Sequence, residues 1–287
     1  MDDLKCEVPG CERCMQTESC LLCVLKAPDI FLLAECDHQL CALILFIDFL
    51  KTPRLNSSTV KHVFIRHRRS FSRLGSKCSR SLLPVYHSQL IQYEWLRQLS
   101  QDPNNTVLGV VRNVDNVESK LVADNIENVH LLHADMADYK ALNAAAKKVA
   151  NITGGSLDYL IVNGALVDRS SQKYQSTEFM GREEQLRKEM VESLDVNVVG
   201  VIYSINAFLP LIREGSVKKI TVISTGMADT EMVLKAGVPG AITYATMKAA
   251  TNMVVAKYAV ELKSEGITLL ALSPGLVNTR ETPRTCC

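Results

Sequence analysis

Thr106-Val-Leu-Gly-Val-Val111 is the stretch that decides the fold class of this chain. The run is almost wholly apolar, as in a strand buried on both faces of a parallel sheet, and the polar Arg112 follows it at once. Similar apolar runs recur at residues 129–133, 157–162, 219–224 and 268–272. These runs predict the strands of one sheet.

Helical patterns separate the apolar runs. We predict helices at residues 93–100, 137–150 and 183–213, and a further helix that carries Tyr244 and Lys248. Strands that alternate with amphipathic helices predict an α/β fold, a doubly wound parallel sheet covered on both faces. Ligands in such sheets bind at the carboxyl ends of the strands. The polar residues found there are Arg112, Asp135, Asn163, Ser224 and the turn Pro274-Gly275.

The composition is that of an ordinary globular protein. The 287 residues are 47% hydrophobic and 22% charged, with a formal net charge of +1. The apolar stretch at residues 41–50 is too short to span a bilayer, and the N-terminus does not resemble a signal peptide. We expect a cytoplasmic protein that binds neither nucleic acid nor a membrane.

The run Ala241-Ile-Thr-Tyr-Ala-Thr-Met-Lys-Ala-Ala250 contains a tyrosine and a lysine four residues apart. On a helix, Tyr244 and Lys248 lie one turn apart on the same face. The ammonium would there favour the phenolate of a side chain whose pKa is ordinarily about 10. Such a pair can donate and accept a proton near neutral pH, although the spacing alone also fits an ordinary surface helix.

With these residues, the chain from about Tyr93 onward resembles the classical short-chain dehydrogenases/reductases. The resemblance is closest to the small carbonyl- and ketoreductases of fungal secondary metabolism. Tyr244 and Lys248 match the catalytic pair of that family. Ser224 matches its catalytic serine, and the neighbouring Thr225 could fill that position instead.

Further residues match the family at its catalytic and cofactor sites. Asn197, in Asp195-Val-Asn-Val-Val-Gly200, matches the helix asparagine of the catalytic tetrad. Asp135 matches the acid that meets the adenine ring, and Asn163 lies where the family contacts the adenosine half of the cofactor. Without the resemblance, Asp135 also fits the N-cap of the following helix.

The resemblance also implies the remaining cofactor contacts. Val277 and Thr279, after the Pro-Gly turn, would lie near the nicotinamide carboxamide. Arg112 ends the strand that faces the adenosine ribose, where an acid would suit the 2′-hydroxyl of NAD and a base suits the 2′-phosphate of NADP. The cofactor is therefore expected to be NADP.

The activity implied by the resemblance is the NADPH-dependent reduction of a small ketone or aldehyde to an alcohol, or the reverse. Tyr244 would protonate the developing alkoxide, and Lys248 would lower the pKa of the tyrosine and hold the nicotinamide ribose. Ser224 would hydrogen-bond the carbonyl oxygen, and Asn197 would anchor a water that passes protons toward Lys248. The assembly would be a homodimer or homotetramer.

The family's glycine-rich turn, Thr-Gly-x-x-x-Gly-Ile-Gly, has no counterpart in this sequence. Immediately before Tyr93 the chain reads His87-Ser-Gln-Leu-Ile-Gln92, with Leu90 and Gln92 where glycines would let the backbone approach a pyrophosphate. No convincing first strand precedes it either, and we expect the C-terminal part of the family to be absent. We therefore expect residues 93–287 to form a partial Rossmann-like domain, and a non-catalytic remnant or dimerising partner stays an alternative to the enzyme.

Residues 1–92 differ from the rest of the chain. Seven of the ten cysteines lie in residues 6–41, and residues 51–93 contain nine Lys or Arg and no Asp or Glu. We expect an irregular segment, either disordered or an artefact of the gene model. Zinc at the pairs Cys11/Cys14 and Cys20/Cys23 is an alternative, but their separation is short and we expect no metal. The basic run 62–69 could touch nucleic acid or act in targeting, but we prefer the disordered interpretation.

Overall fold

The computed structural model describes residues 60–65, 88–168 and 170–275. Its strands are β1 (Val60–Ile65), β2 (Asn105–Val111), β3 (Val129–His133), β4 (Tyr159–Val162), β5 (Lys219–Ile223) and β6 (Thr268–Leu272). Its longer helices are α1 (Ser88–Leu99), α2 (Val114–Ala123), α3 (Tyr139–Thr153), α4 (Glu183–Leu194), α5 (Gly200–Glu214), α6 (Thr230–Ala236) and α7 (Ile242–Leu262).

The strands form one six-stranded sheet in the order β3-β2-β1-β4-β5-β6, and every pairing is parallel. The order reverses between β1 and β4, which is the topological switch point of a doubly wound sheet. The predicted α/β class and the parallel sheet are therefore confirmed.

The expectation that the first strand is missing was wrong. β1 occupies the centre of the sheet, where Val63 pairs with Leu108 of β2 and with Leu160 of β4. The strand includes the start of the basic run 62–69, whose sequence favours disorder. Lys61 and His62 interrupt its apolar pattern, so a periodicity argument does not detect it.

Two hydrophobic clusters lie on the two faces of the sheet. One contains Leu108 and Val110 and is covered by α3, α5 and α7, and the other contains Val107 and Val111 and is covered by α1 and α2. Successive residues of β2 thus alternate between the clusters, as the pleat of a strand requires. The carboxyl ends of the strands remain available for polar side chains.

The long helix predicted at residues 183–213 is interrupted by a π-helical turn, Asp195–Val199, between α4 and α5. Single π turns often mark functional positions, and this one turns Asn197 fully into the interior. Of the described helices, only Glu183–Glu214 is long and apolar enough to span a membrane. Just over half of its most apolar window, 56%, is buried within the fold, which fits a core helix.

Capping residues set several helix bounds that differ from the prediction. Asp138 is the N-cap of α3, and its side chain accepts hydrogen bonds from the backbone N–H of Lys140 and Ala141, so the helix begins at Tyr139. Asp135 is therefore not the cap. The helices α2 and α6 were not predicted, although Asn113 and Asp229 cap them in the same manner.

Candidate active site

Lys248 lies in the interior at the carboxyl end of β5. Its side chain is 1% exposed, and its Nζ donates a hydrogen bond of 2.6 Å to the carbonyl oxygen of Ile223. Burial lowers the pKa of the Lys248 ammonium to about 8, because the charged form loses its hydration. The Nζ lies 6.0 Å from the ring centroid of Tyr244, so the structure brings the predicted pair together.

Tyr244 occupies the first turn of α7, where it is half-buried. The helix is preceded by Ala241 at φ 58°, a left-handed conformation that residues with a Cβ seldom adopt. A small cavity beside the tyrosine is lined by Val167, Ser171 and Thr243, among others. The turn at Ala241 therefore directs Tyr244 toward the loop that follows β4.

That loop is held to α4 by a buried carboxylate. The hydroxyl of Ser171 donates to Glu189 Oε2 in a short hydrogen bond, and Gln185 Nε2 donates to Glu189 Oε1 at 2.8 Å. Ser171 is 4% and Glu189 is 5% exposed. The wall of the cavity facing Tyr244 is thus fixed to a helix.

Ser224 and Thr225 directly follow β5, and their hydroxyls lie in different environments. The buried Ser224 Oγ donates to Asn252 Oδ1 at 2.6 Å. The half-buried Thr225 Oγ1 accepts from Met227 N at 3.3 Å, and among the described residues it donates to none. Thr225 therefore keeps a hydroxyl hydrogen for a ligand, whereas the hydrogen of Ser224 is already engaged.

Asn252 was missed in the sequence. It follows Tyr244 and Lys248 at the same spacing of four residues, so the three side chains lie along one face of α7. Its partner could not be inferred from spacing, because the contact with Ser224 joins two elements 28 residues apart.

Asn197 connects three parts of the site. Its Oδ1 accepts from Leu166 N at 2.8 Å, and its Nδ2 donates to Leu166 O at 2.9 Å and to Ser193 Oγ at 2.7 Å. Its backbone carbonyl oxygen accepts a hydrogen bond of 2.6 Å from the hydroxyl of Thr251, which lies on α7 between Lys248 and Asn252. Asn197 therefore fixes the β4 loop and α7 relative to each other.

Arg112 and Asp135 meet at the carboxyl ends of β2 and β3. Arg112 Nη1 lies 3.1 Å from Asp135 Oδ2, and the two side chains are 22% and 30% exposed. The other carboxylate oxygen of Asp135 accepts from Ala137 N at 3.0 Å. The pair lies on the β1–β2–β3 side of the switch point, opposite to Tyr244 and Lys248.

Asn163 lies at the switch point, directly after β4. Asn163 is 3% exposed, and its backbone carbonyl oxygen accepts a hydrogen bond of 3.3 Å from Nε2 of Gln92 on α1. Asn163 Nδ2 and Gln92 Oε1 are buried, and neither has a hydrogen-bond partner among the residues that the structure describes. In the sequence, Gln92 is notable only because it stands where the glycine-rich turn of the family would have a glycine.

Several predicted residues fall outside the described ranges. Val277 and Thr279 are among them, and so are the pairs Cys11/Cys14 and Cys20/Cys23. The Pro274-Gly275 turn is described, and Gly275 adopts φ 69° three residues after the end of β6. Within the described part of the chain, no three His, Cys, Asp or Glu side chains are grouped as a metal site would need.

A comparison with family models matches residues 91–285 to the short chain dehydrogenase family. The matched region contains the tyrosine–lysine pair, the strand-end hydroxyls and Asn197. This chain belongs to the short-chain dehydrogenase family. The predicted family and its Rossmann-like fold are thereby confirmed.

Curated relatives support the same family. The short-chain dehydrogenase/reductase atnB of Arthrinium sp is 41% identical over 192 residues, which are 67% of this chain and 72% of the relative. The short-chain dehydrogenase/reductase AacuF of Aspergillus aculeatus is 42% identical over 196 residues, or 68% and 73% of the two chains. The short chain dehydrogenase virK of Hypocrea virens is 37% identical over 195 residues, or 67% and 72%.

Solved structures share the fold. NADPH-bound carbonyl reductase from chicken fatty liver aligns with a TM-score of 0.57 and 20% identity, covering 76% of this chain and 80% of the other. ElxO with NADP bound aligns with a TM-score of 0.52 and 17% identity, covering 74% and 73%. At these identities the likeness concerns the fold.

The residues at the switch point fit the nicotinamide dinucleotide that this family uses. A dinucleotide lies across the crevice at such a point, and there the chain presents one unsatisfied amide donor, on Asn163, and one unsatisfied acceptor, on Gln92. A cationic Lys248 lies on one side of the crevice and Arg112 on the other. A charged group therefore lies on each side of the crevice, and two polar amides lie between them.

Proposed function

We propose that this chain is an NADPH-dependent oxidoreductase that reduces a ketone or aldehyde to an alcohol, or catalyses the reverse. The observation that carries this proposal is the buried Lys248, whose ammonium lies 6.0 Å from the Tyr244 ring. An ammonium withdrawn from water interacts strongly with a neighbouring group that ionises. Within this family, such a pair is the expected proton-transfer machinery.

When bound, NADPH supplies the hydride. Tyr244 gives its phenolic proton to the oxygen of the substrate as negative charge develops there. Lys248, held by the carbonyl oxygen of Ile223, stabilises the resulting phenolate and hydrogen-bonds the nicotinamide ribose. A hydroxyl of Ser224 or Thr225 donates to the substrate oxygen, and Asn197 keeps α7 in place through Thr251.

The preference for NADPH over NADH rests on Arg112. The guanidinium lies at the end of β2, and a 2′-phosphate matches its bidentate geometry. Asp135 already holds one of its nitrogens at 3.1 Å, which orients the side chain. Val277 and Thr279 complete the proposed cofactor contacts at the nicotinamide end.

The proposal also covers the cellular compartment and the type of metabolism in which the reaction takes place. We infer a cytoplasmic enzyme of fungal secondary metabolism, in line with the fungal relatives. The substrate is a small carbonyl compound or alcohol, and neither nucleic acid nor a membrane is expected to bind.

Tyr244→Phe tests the proposed activity. NADPH oxidation would be followed with a panel of ketones and aldehydes, and NADPH binding would be measured by titration calorimetry. The variant should lose at least about 10³-fold in kcat, since it cannot donate the proton, while its Kd for NADPH stays within about threefold. Tyr258→Phe is the matched control, because Tyr258 lies on the same helix and its hydroxyl donates to the exposed Asn206. Turnover that survives in Tyr244→Phe would refute the assignment.

A second candidate function is that of a non-catalytic partner that pairs through its helices. The observation that favours it is a set of exposed apolar side chains on α4 and α7: Val191, Leu194, Met253 and Val260. Met253 and Val260 are seven residues apart and thus share a face of α7. This function predicts a stable dimer by light scattering together with no measurable NADPH or NADH binding, whereas the reductase predicts binding whatever the oligomeric state.

A further inference from the structure

Gln92 crosses the crevice in which a doubly wound sheet binds its ligand. It lies on α1, the helix that follows β1, and its carboxamide reaches the carbonyl oxygen of Asn163, the first residue after β4. β1 and β4 are the two strands between which the strand order reverses. The contact Gln92–Asn163 therefore bridges the switch point.

The two side chains leave one donor and one acceptor without a partner. Gln92 is 5% exposed and Asn163 is 3% exposed; within the described ranges, Gln92 Oε1 accepts no hydrogen bond and Asn163 Nδ2 donates none. Burying an amide group without a partner costs on the order of 1–3 kcal/mol. A ligand that satisfied both atoms would recover this cost when it bound.

The chemistry of the two atoms selects a hydroxyl group. A hydroxyl can donate to Gln92 Oε1 and accept from Asn163 Nδ2 at the same time. At neutral pH, phosphate oxygens accept hydrogen bonds and donate none. A phosphate placed beside Gln92 Oε1 would therefore be repelled by that acceptor. The middle of a dinucleotide carries phosphates and riboses, and the unsatisfied pair therefore suits a ribose.

We propose that Gln92 is a cofactor-binding residue and that, with Asn163, it binds the 3′-hydroxyl of the adenosine ribose of NADPH. This inference rests on the proposed function. The adenosine half is the one on the side of Arg112, because Tyr244 and Lys248 lie on the other side of the crevice. In NADPH the 2′ oxygen carries the phosphate, so the 3′-hydroxyl is the group that both donates and accepts.

The test measures the Kd of the full chain for NADPH and for its 3′-deoxyadenosine analogue by titration calorimetry. Gln92→Leu keeps the bulk of the side chain and removes its hydrogen bonds, and it should raise the Kd for NADPH about tenfold. The analogue should bind the wild type about tenfold more weakly than NADPH, and this difference should shrink to about threefold for Gln92→Leu, where only the bond from Asn163 remains to be lost. Gln98→Leu is the matched control, because Gln98 lies on the same helix and its side-chain amide donates to Glu94.

Any of four results would overturn the inference. Equal NADPH affinity in wild type and Gln92→Leu would show that Gln92 does not bind the cofactor. Tighter binding in Gln92→Gly would show that the side chain obstructs the crevice instead. If the wild type bound neither NADPH nor NADH, the proposed function would fail together with this inference, a result distinct from the first two. Should Gln92→Leu not fold, the comparison of NADPH with its analogue on the wild type still decides, since equal affinity would contradict the contact.

Discussion

Ser224 donates its hydroxyl hydrogen to the side-chain oxygen of Asn252 across 2.6 Å, and so joins the end of β5 to the helix that carries Tyr244. A serine held in this manner can accept a hydrogen bond from a ligand but cannot donate one until the contact breaks. The adjacent Thr225 is under no such restraint. The two hydroxyls therefore differ in what they can offer to a carbonyl oxygen.

We predict that Thr225→Val lowers kcat more than Ser224→Ala does. Losing a donor to the developing oxyanion typically costs about 10²- to 10³-fold in kcat, whereas Ser224→Ala should act mainly by loosening Asn252. Steady-state kinetics of both variants with one reducible ketone would measure the difference. The reverse ranking would show that Ser224 leaves Asn252 and binds the substrate.

The buried Lys248 should make stability depend on pH. The unfolded chain keeps this proton up to a pKa of about 10.5, whereas the folded chain releases it near 8. Between these pH values the unfolded state binds more protons, so stability rises with pH, by about 2 kcal/mol from pH 7.5 to 9.5. Lys248→Met should lack this rise.

Urea unfolding of wild type and Lys248→Met at pH 7.5, 8.5 and 9.5 would measure the effect. The range stops below pH 10, because burial raises the pKa of Tyr159 to about 12 and that tyrosine lowers stability at higher pH. Parallel pH profiles for the two proteins would contradict the assignment of a depressed pKa to Lys248.

Asn197→Ala should destabilise the fold by about 2 kcal/mol. The substitution leaves the backbone N–H and carbonyl of Leu166 without the partners that the side chain provides, and buried groups without partners carry a desolvation cost. Asn206→Ala is the control, since this exposed asparagine on α5 makes one surface contact. Chemical denaturation would compare them, and equal losses would argue against the connecting role of Asn197.

Arg112→Ser should change cofactor preference. Removing the guanidinium should lower kcat/KM for NADPH by about 10- to 100-fold, in the range of a lost charged hydrogen-bond pair, and should leave kcat/KM for NADH within about threefold. Arg97→Ser is a suitable control, because Arg97 pairs with Glu94 on the surface of α1. If both cofactors lost activity equally, Arg112 would have a structural role through Asp135.

Gly215→Ala should destabilise the protein strongly. A Cβ at this position would lie 2.0 Å from the carbonyl oxygen of Leu157, and backbone atoms cannot yield as a flexible side chain does. We expect a loss of about 3 kcal/mol or more. Gly181→Ala should cost about 1 kcal/mol, because its Cβ meets open space and only its positive φ opposes the change. Thermal unfolding would compare the two, and equal shifts would contradict the predicted clash.

The local pattern of apolar residues was sufficient to predict much of the sheet. The strands Val129–His133 and Thr268–Leu272 have the predicted bounds, because both are short runs bounded by turns. The tyrosine–lysine pair was also predictable, since it depends only on helical spacing. β1 was not, because two polar residues at its start conceal a strand that is stabilised by pairing on both sides.

Tertiary contacts determine the rest of the site. Whether Ser224 or Thr225 offers its hydrogen depends on Asn252, which belongs to another element. The orientation of Gln92 depends likewise on Asn163, 71 residues away in sequence. Residue type and spacing can nominate such side chains, but their partners follow from the way in which helices pack on the sheet.

The central position of β1 has a consequence for shortened chains. A chain that began at α1 would lose β1 and divide the sheet into β3-β2 and β4-β5-β6, each with a newly bare edge. Bare edges of apolar strands readily pair with other molecules, so such a truncation should yield insoluble protein. The N-terminal segment, whose composition differs most from the rest of the chain, thus supplies the strand that joins the two halves of the sheet. Its pairing on both sides protects the edges of β2 and β4 from aggregation.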